Sequence, residues 1–154
     1  MAYSTDIWRP HVVAATVVER DGCFLFVEES IEGRTVINQP AGHLDPGENL
    51  VVAAARETLE ETGWTVRIDH VIGIYLLATE IPGKTFLRFC FAGTALHHDP
   101  TRALDKEIIA AHWWTRAAAA ARGAQLRSPL VLRAVDDYLA GQRHPLTMLH
   151  DYLA

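Results

Sequence analysis

The chain has 154 residues, of which 49% are hydrophobic and 21% charged, and its formal net charge is −5. Length near one domain and average composition exclude a disordered chain, which needs low hydrophobicity and high net charge. The acidic balance, with no basic stripe, argues against a nucleic-acid polymer as partner, but a small anionic substrate stays open if a bound metal inverts the local charge.

Met1 to Pro10 has neither a charged start nor an apolar stretch, so no signal peptide is expected. His11 to Val18 is apolar and β-branched and reads as a strand. Asp21-Gly22 is a turn signal, and Cys23 to Val27 completes a hairpin. Glu32-Gly33 marks a second turn, followed by a short strand at Thr35 to Ile37. Pro40, Gly42, Pro46 and Gly47 make residues 38–48 a loop. Asn49 suits a helix N-cap, Leu50 to Thr62 lacks Pro and Gly, and Gly63 stands where the helix should stop. Strands are predicted at Val66–Ile68, Val71–Ala78 and Phe86–Leu96, the last two joined by a turn at Pro82-Gly83-Lys84. Asp105 to Ala111 is ambiguous, and His112 to Trp114 reads as a short strand. Thr115 caps a short Ala-rich helix ended by Gly123. Ser128 is a cap ahead of Pro129, and a last helix runs to about Ala140, stopped by Gly141.

Several strands with two or three helices, not in strict alternation, predict an α+β fold or a three-layer mixed sheet. No shift in composition divides the chain, so residues 1–154 read as one domain. Cys23 and Cys90 lie in apolar segments and read as buried free thiols. No apolar run approaches roughly 18 residues, so no spanning helix is expected, and the expected address is the cytoplasm.

The helix at 50–62 carries the chemistry. At roughly 100° per residue, Glu61 falls about 40° to one side of Glu57 and Glu60 about 60° to the other. Three carboxylates therefore share one face. Val51, Val52, Ala55, Thr58 and Leu59 fall opposite, a face expected to dock on a sheet and leave the acids turned away. Like charges at these spacings cost a few tenths of a kcal/mol per pair. A solvated acidic face accounts for the pattern. So does a divalent cation, because hard carboxylate oxygens suit Mg²⁺ or Mn²⁺. The loop glycines let backbone approach a ligand, and the Gly42 carbonyl offers another hard oxygen. Glu48 is within reach of Arg56, and that pair would hold loop to helix.

Gly42, five residues, Glu48, seven residues, Arg56-Glu57, two residues, Glu60-Glu61, one residue, and Gly63-Trp64 form a pattern that resembles the Nudix box at every fixed position. It departs at Thr58, where the family prefers an aliphatic residue, which is expected to weaken helix packing a little. The resemblance implies a Nudix α/β/α sandwich around a mixed central sheet and Mg²⁺-dependent hydrolysis of a diphosphate bond. It implies that Glu57, Glu60 and Glu61 bind the metal, and that Arg56 with Glu48 braces the loop and helix. A further acid outside the box commonly assists, and Glu107 is expected to fill that role. Asn38-Gln39-Pro40-Ala41-Gly42-His43, Phe86-Leu87-Arg88-Phe89, Arg127-Ser128-Pro129-Leu130 and Gly141-Gln142-Arg143-His144-Pro145-Leu146 resemble the NudJ-type phosphatases of bacteria. That subgroup releases orthophosphate from nucleoside di- and triphosphates and acts on thiamine-type pyrophosphates.

The implied partner is thus a small-molecule nucleotide or thiamine-type pyrophosphate, with no nucleic acid polymer and no membrane, in a monomer or homodimer. A pyrophosphohydrolase that yields monophosphate and pyrophosphate is an alternative. A non-catalytic nucleotide sensor is another. Arg88 is either a charge snorkelling to the sheet edge or a phosphate clamp. Arg127 and Arg143 are further candidate phosphate contacts. Gln39 can hydrogen-bond a base or pyrimidine, as can Asn38, which turn chemistry explains equally well. Trp8, Trp113 and Trp114 fit core packing or ring stacking. His43 sits in the loop, where it can touch phosphate. Asp136-Asp137 reads as a solvated face, and which glutamate acts as base stays open.

Overall fold

Two tight turns shape the first half of the sheet in the computed structural model, which describes residues 7–153. Asp21 and Gly22 have φ of 52° and 78°, and Glu32 and Gly33 have φ of 50° and 77°. Positive φ at both central residues matches a two-residue turn to the twist of hairpin strands. The turns join β1 (His11–Arg20) to β2 (Cys23–Ile31) and β2 to β3 (Arg34–Asn38). Next come β4 (Ala41–His43), α1 (Leu50–Thr62), β5 (Trp64–Ala78), β6 (Thr85–His98) and β7 (Ile108–Trp114). Two helices follow, α2 (Arg116–Ala120) and α3 (Leu130–Leu139).

The sheet is mixed. β1 runs parallel to β6 and antiparallel to β4, β5 runs antiparallel to β6, and β7 pairs with β2. The strand order is β3-β2-β1-β6-β5, with β4 on β1 and β7 on β2. Its two faces bury different helices. Ala53 and Ala54 of α1 pack with Ala14, Leu25, Val71 and Phe91. Ala119 of α2 and Val131, Ala134 and Val135 of α3 pack with Phe24, Phe26, Ile72 and Cys90. This is the three-layer α/β/α sandwich with a mixed sheet that the Nudix resemblance implies. Among the described residues no helix is long and apolar enough to cross a membrane.

Several sequence expectations are corrected. Part of the expected loop is β4, because Ala41, Gly42 and His43 pair with Ala15, Ala14 and Val13. The strands expected at 66–68 and 71–78 are one, β5, whose register with β6 shifts at three places so that it bends without breaking. The ambiguous segment turns at Asp105 and enters β7 at Ile108. The Ala-rich helix stops at Ala120, before Gly123. Cys90 is buried, but Cys23 is only partly so. Asp136 and Asp137 are not merely solvated: Asp136 accepts two hydrogen bonds from Arg116, and Asp137 accepts from Tyr75 and Arg133.

The docking face of α1 is corrected in part. Val51 and Ala55 pack against the core and Thr58 is fully buried, as expected, but the buried side runs on through Ala53, Ala54, Glu61 and Thr62, while Val52 is 51% exposed. Small residues let the helix axis approach the sheet, so the side chains that fit in the gap decide which side faces inward. Thr58 is fully buried there and its hydroxyl donates to the Ala54 carbonyl at 2.8 Å, which satisfies the group within the helix. The acids are consequently not turned away from the sheet: Glu61 is buried and Glu57 and Glu60 are half-buried.

Candidate active site

The site is built from the β4–α1 connection. The Asn49 side chain accepts from the Val52 N–H at 2.8 Å and starts the helix, and Gly63, at φ 75°, ends it by donating to the Leu59 carbonyl. Two turns inside, Arg56 is a hub. Its Nε donates to Glu48 Oε2 at 2.6 Å and its Nη2 to Glu48 Oε1 at 2.9 Å, a two-point pairing. Nη1 donates to Glu57 at 2.8 Å and Glu60 at 3.0 Å, and Nη2 also reaches the His43 carbonyl at 3.2 Å. The guanidinium holds the Glu48 carboxyl below the usual carboxylate range. The carboxylates in turn push the Arg56 pKa up, Glu48 foremost.

Gly42 and Glu57 meet face to face. A Cβ built on Gly42 falls on the Glu57 carboxyl group, inside any contact distance. The bare glycine is what lets that carboxyl lie against the β4 backbone. Burial raises the Glu57 pKa, against the pull of Arg56, and Glu60 and Asp105 raise it further by repulsion. Glu61 lies deeper, 4% exposed, and its Oε1 accepts the Ala41 N–H at 2.7 Å. Burial, then the neighbouring Glu29 carboxyl, push the Glu61 pKa well up.

Oxygens of Glu57, Glu60 and Asp105 lie within 4.8 Å of one another. The Asp105 N–H donates to the Glu60 carbonyl at 3.0 Å, which ties the loop before β7 to the end of α1. These residues fit a divalent cation. The donors are hard oxygens, and carboxyls desolvated beside one another gain from a positive charge between them. Glu57, Glu61, Gly42, Asp105 and Glu107 line one open cleft of about 300 Å³, with Glu29, His43 and Arg127.

Of the other residues expected at the site, Arg127 is at the cleft, where its Nη1 donates to Glu29 at 3.0 Å. Gln39 and Arg88 are buried and do not line the cleft. Gln39 Nε2 donates to the Val131 carbonyl at 2.6 Å, while Arg88 Nη2 donates to Gln39 at 2.7 Å and to Asn38 at 3.3 Å. In this arrangement they brace the sheet against α3. Arg88 is thus not a snorkelling edge charge. Arg143 is exposed in the segment after α3 and does not line the cleft. The tryptophans pack elsewhere: Trp8 donates to the Gly83 carbonyl, Trp113 meets Trp64 edge-on under Arg20, and Trp114 packs on Phe26 and His112.

Sequence reading missed Glu29 and Asp105. Glu29 carried little signal, because Glu28 and Ser30 flank it at the polar end of β2. Asp105 lies two residues from Glu107 in the same short acidic run, and only the loop's attachment to Glu60 selects it for the cluster.

The NUDIX domain pattern matches residues 8–134. The chain is 44% identical over 147 residues to the phosphatase NudJ of Shigella boydii and to that of Escherichia coli K12, covering 95% of this chain and 94% of theirs. A NUDIX hydrolase from Nitrosomonas europaea superposes with a TM-score of 0.91 at 43% identity, covering 94% of this chain and 98% of that one. A UDP-X diphosphatase shares the fold at 16% identity and a TM-score of 0.70, over 94% of this chain and 68% of its own.

Proposed function

The chain belongs to the NUDIX family and is a Nudix hydrolase, and on that premise we propose that it is a Mg²⁺-dependent phosphatase. It releases orthophosphate from nucleoside di- and triphosphates or from thiamine-type pyrophosphates. The observation that carries this reading is the cluster of Glu57, Glu60 and Asp105, of which Glu57 and Asp105 line the cleft that also holds Arg127. The choice of phosphatase is supported by near full-length likeness to proteins that carry that name.

Glu57, Glu60 and Glu61 hold the cation, with the Gly42 carbonyl and an acid of the facing loop, Asp105 or Glu107. Mg²⁺, or Mn²⁺ in its place, supplies neutralisation of charge on the phosphate oxygens. The chain's own work is positioning. Arg56 fixes the Glu57 and Glu60 carboxyls from one guanidinium, and Glu48 fixes Arg56. Arg127, now paired with Glu29, is the phosphate contact at the cleft. Gln39 and Arg88 act from beneath, by holding β3 and β6 to α3.

A panel of nucleotides and thiamine-type pyrophosphates, assayed with Mg²⁺ and with separate detection of orthophosphate and pyrophosphate, tests the reading. Orthophosphate from a diphosphate substrate is the expected product. Pyrophosphate from triphosphates alone would make the chain a pyrophosphohydrolase, and tight binding without turnover would make it a sensor.

A further inference from the structure

The sheet register gathers three aromatic rings beside the cleft, one of which, His43, lines it. Val13 of β1 is paired with His43 of β4, and His11 of β1 is paired with Phe86 of β6. His11 Nδ1 and His43 Nε2 are 3.2 Å apart, and the ring centroids of His11, His43 and Phe86 lie 5.4 to 6.3 Å from one another. Both histidines are exposed, so the core does not require them. Their placement is nonetheless secured. The Trp8 indole donates to the Gly83 carbonyl at 3.0 Å, which ties the segment before β1 to the β5–β6 turn and keeps His11 beside Phe86.

His43 belongs to two depressions at once. It lines the catalytic cleft, and with His11 it lines a second groove of about 490 Å³. The two share His43 and Asp45, and the groove's other walls include Pro10, Val12 and Leu44. Cleft and groove thus meet at His43, and a group attached to a diphosphate in the cleft would reach the groove across that ring. We propose that the His11–His43 pair, backed by Phe86, is the subsite that receives a planar heterocycle at the organic end of the substrate. The inference rests on the diphosphate-hydrolase reading of the cleft and adds the chemistry of the group attached to the phosphates. Ring stacking suits a wet, open rim because any aromatic base presents a π-face.

The test compares substrates with and without a ring. For wild type, His11→Ala and His11→Phe, KM and kcat are measured on uridine diphosphate, thiamine pyrophosphate and inorganic tripolyphosphate. His11→Ala is expected to raise KM for a ring-bearing substrate about tenfold relative to tripolyphosphate, and His11→Phe to recover most of that ratio. Which of the two ring-bearing substrates responds identifies the heterocycle. An unchanged ratio for both overturns the proposal. A second readout does not depend on turnover: the imidazole proton resonances of His11 and His43 are followed on adding uridine monophosphate, thiamine monophosphate or ribose 5-phosphate. Shifts with a ring-bearing monophosphate and not with ribose 5-phosphate support the subsite even if no substrate is hydrolysed. Equal shifts with all three, or none, overturn it.

Discussion

A methyl group added at Gly42 falls on the Glu57 carboxyl, which is the free end of a flexible side chain. The cheapest relief for Gly42→Ala is to displace that carboxyl, leaving β4 in place. The expected outcome is a folded protein with an unchanged circular dichroism spectrum whose turnover falls about 100-fold, the scale of a misplacement near 1 Å. Its melting temperature should also lose most of its response to Mg²⁺. Intact turnover in Gly42→Ala would mean that Glu57 does not work from this position. Arg56→Lys makes a different demand, because it keeps the charge and removes the fork. One ammonium cannot serve Glu48, Glu57, Glu60 and the His43 carbonyl together. Denaturant unfolding should show a loss of about 1–3 kcal/mol, and kcat should fall with it. Wild-type stability in that variant would show that the guanidinium network contributes charge alone.

At the scale of elements, α1 shows how size overrules apolarity. Val52 is half exposed, whereas Ala54 is buried between helix and sheet. Val52→Ser should change stability by no more than about 0.5 kcal/mol, and Ala54→Leu should destabilise by about 1–3 kcal/mol or more through overpacking. Urea melts of the two variants settle the orientation, and the reverse ranking would place Val52 on the docked face. The same helix marks the limit of what sequence discloses. Its ends were legible, because Asn49 and Gly63 carry cap chemistry that acts locally. The clustering of Glu57, Glu60 and Glu61 was legible from helical periodicity, and the link from Glu48 to Arg56 from the Nudix spacing. The direction of the cluster was not, since it depends on how closely two backbones approach across a layer. The same holds for Asp105 and Glu29, which reach the cleft through loop attachment and strand register. Gln39 and Arg88 lie in motifs that resemble phosphatases, but a motif does not say whether a polar side chain points outward or braces the interior.

For the whole molecule, the buried carboxyls couple folding to protons, and a cation held among them would enter the same balance. Glu61 is pushed from 4.5 to about 9 by burial and by Glu29, so the native state keeps a proton that the unfolded chain gives up. A raised carboxyl of this kind lends stability in full below its ordinary value, and that contribution drains away as pH climbs toward the raised one. Glu48 has the opposite sign: Arg56 holds it down, so its contribution is present above the ordinary value and is lost in acid. Protein treated with a chelator should therefore melt at progressively lower temperature between about pH 6 and pH 9. A divalent cation among these carboxyls takes over the proton's role, so added Mg²⁺ should raise the melting temperature more at the alkaline end than at the acidic one. Glu61→Gln separates this from a general alkaline effect. The amide oxygen still accepts the Ala41 N–H, carries no charge and releases no proton. The chelated variant should lose the alkaline slope and most of the Mg²⁺ response together, because both come from one desolvated carboxyl beside another. A slope that survives in Glu61→Gln would place the responsible group elsewhere in the molecule.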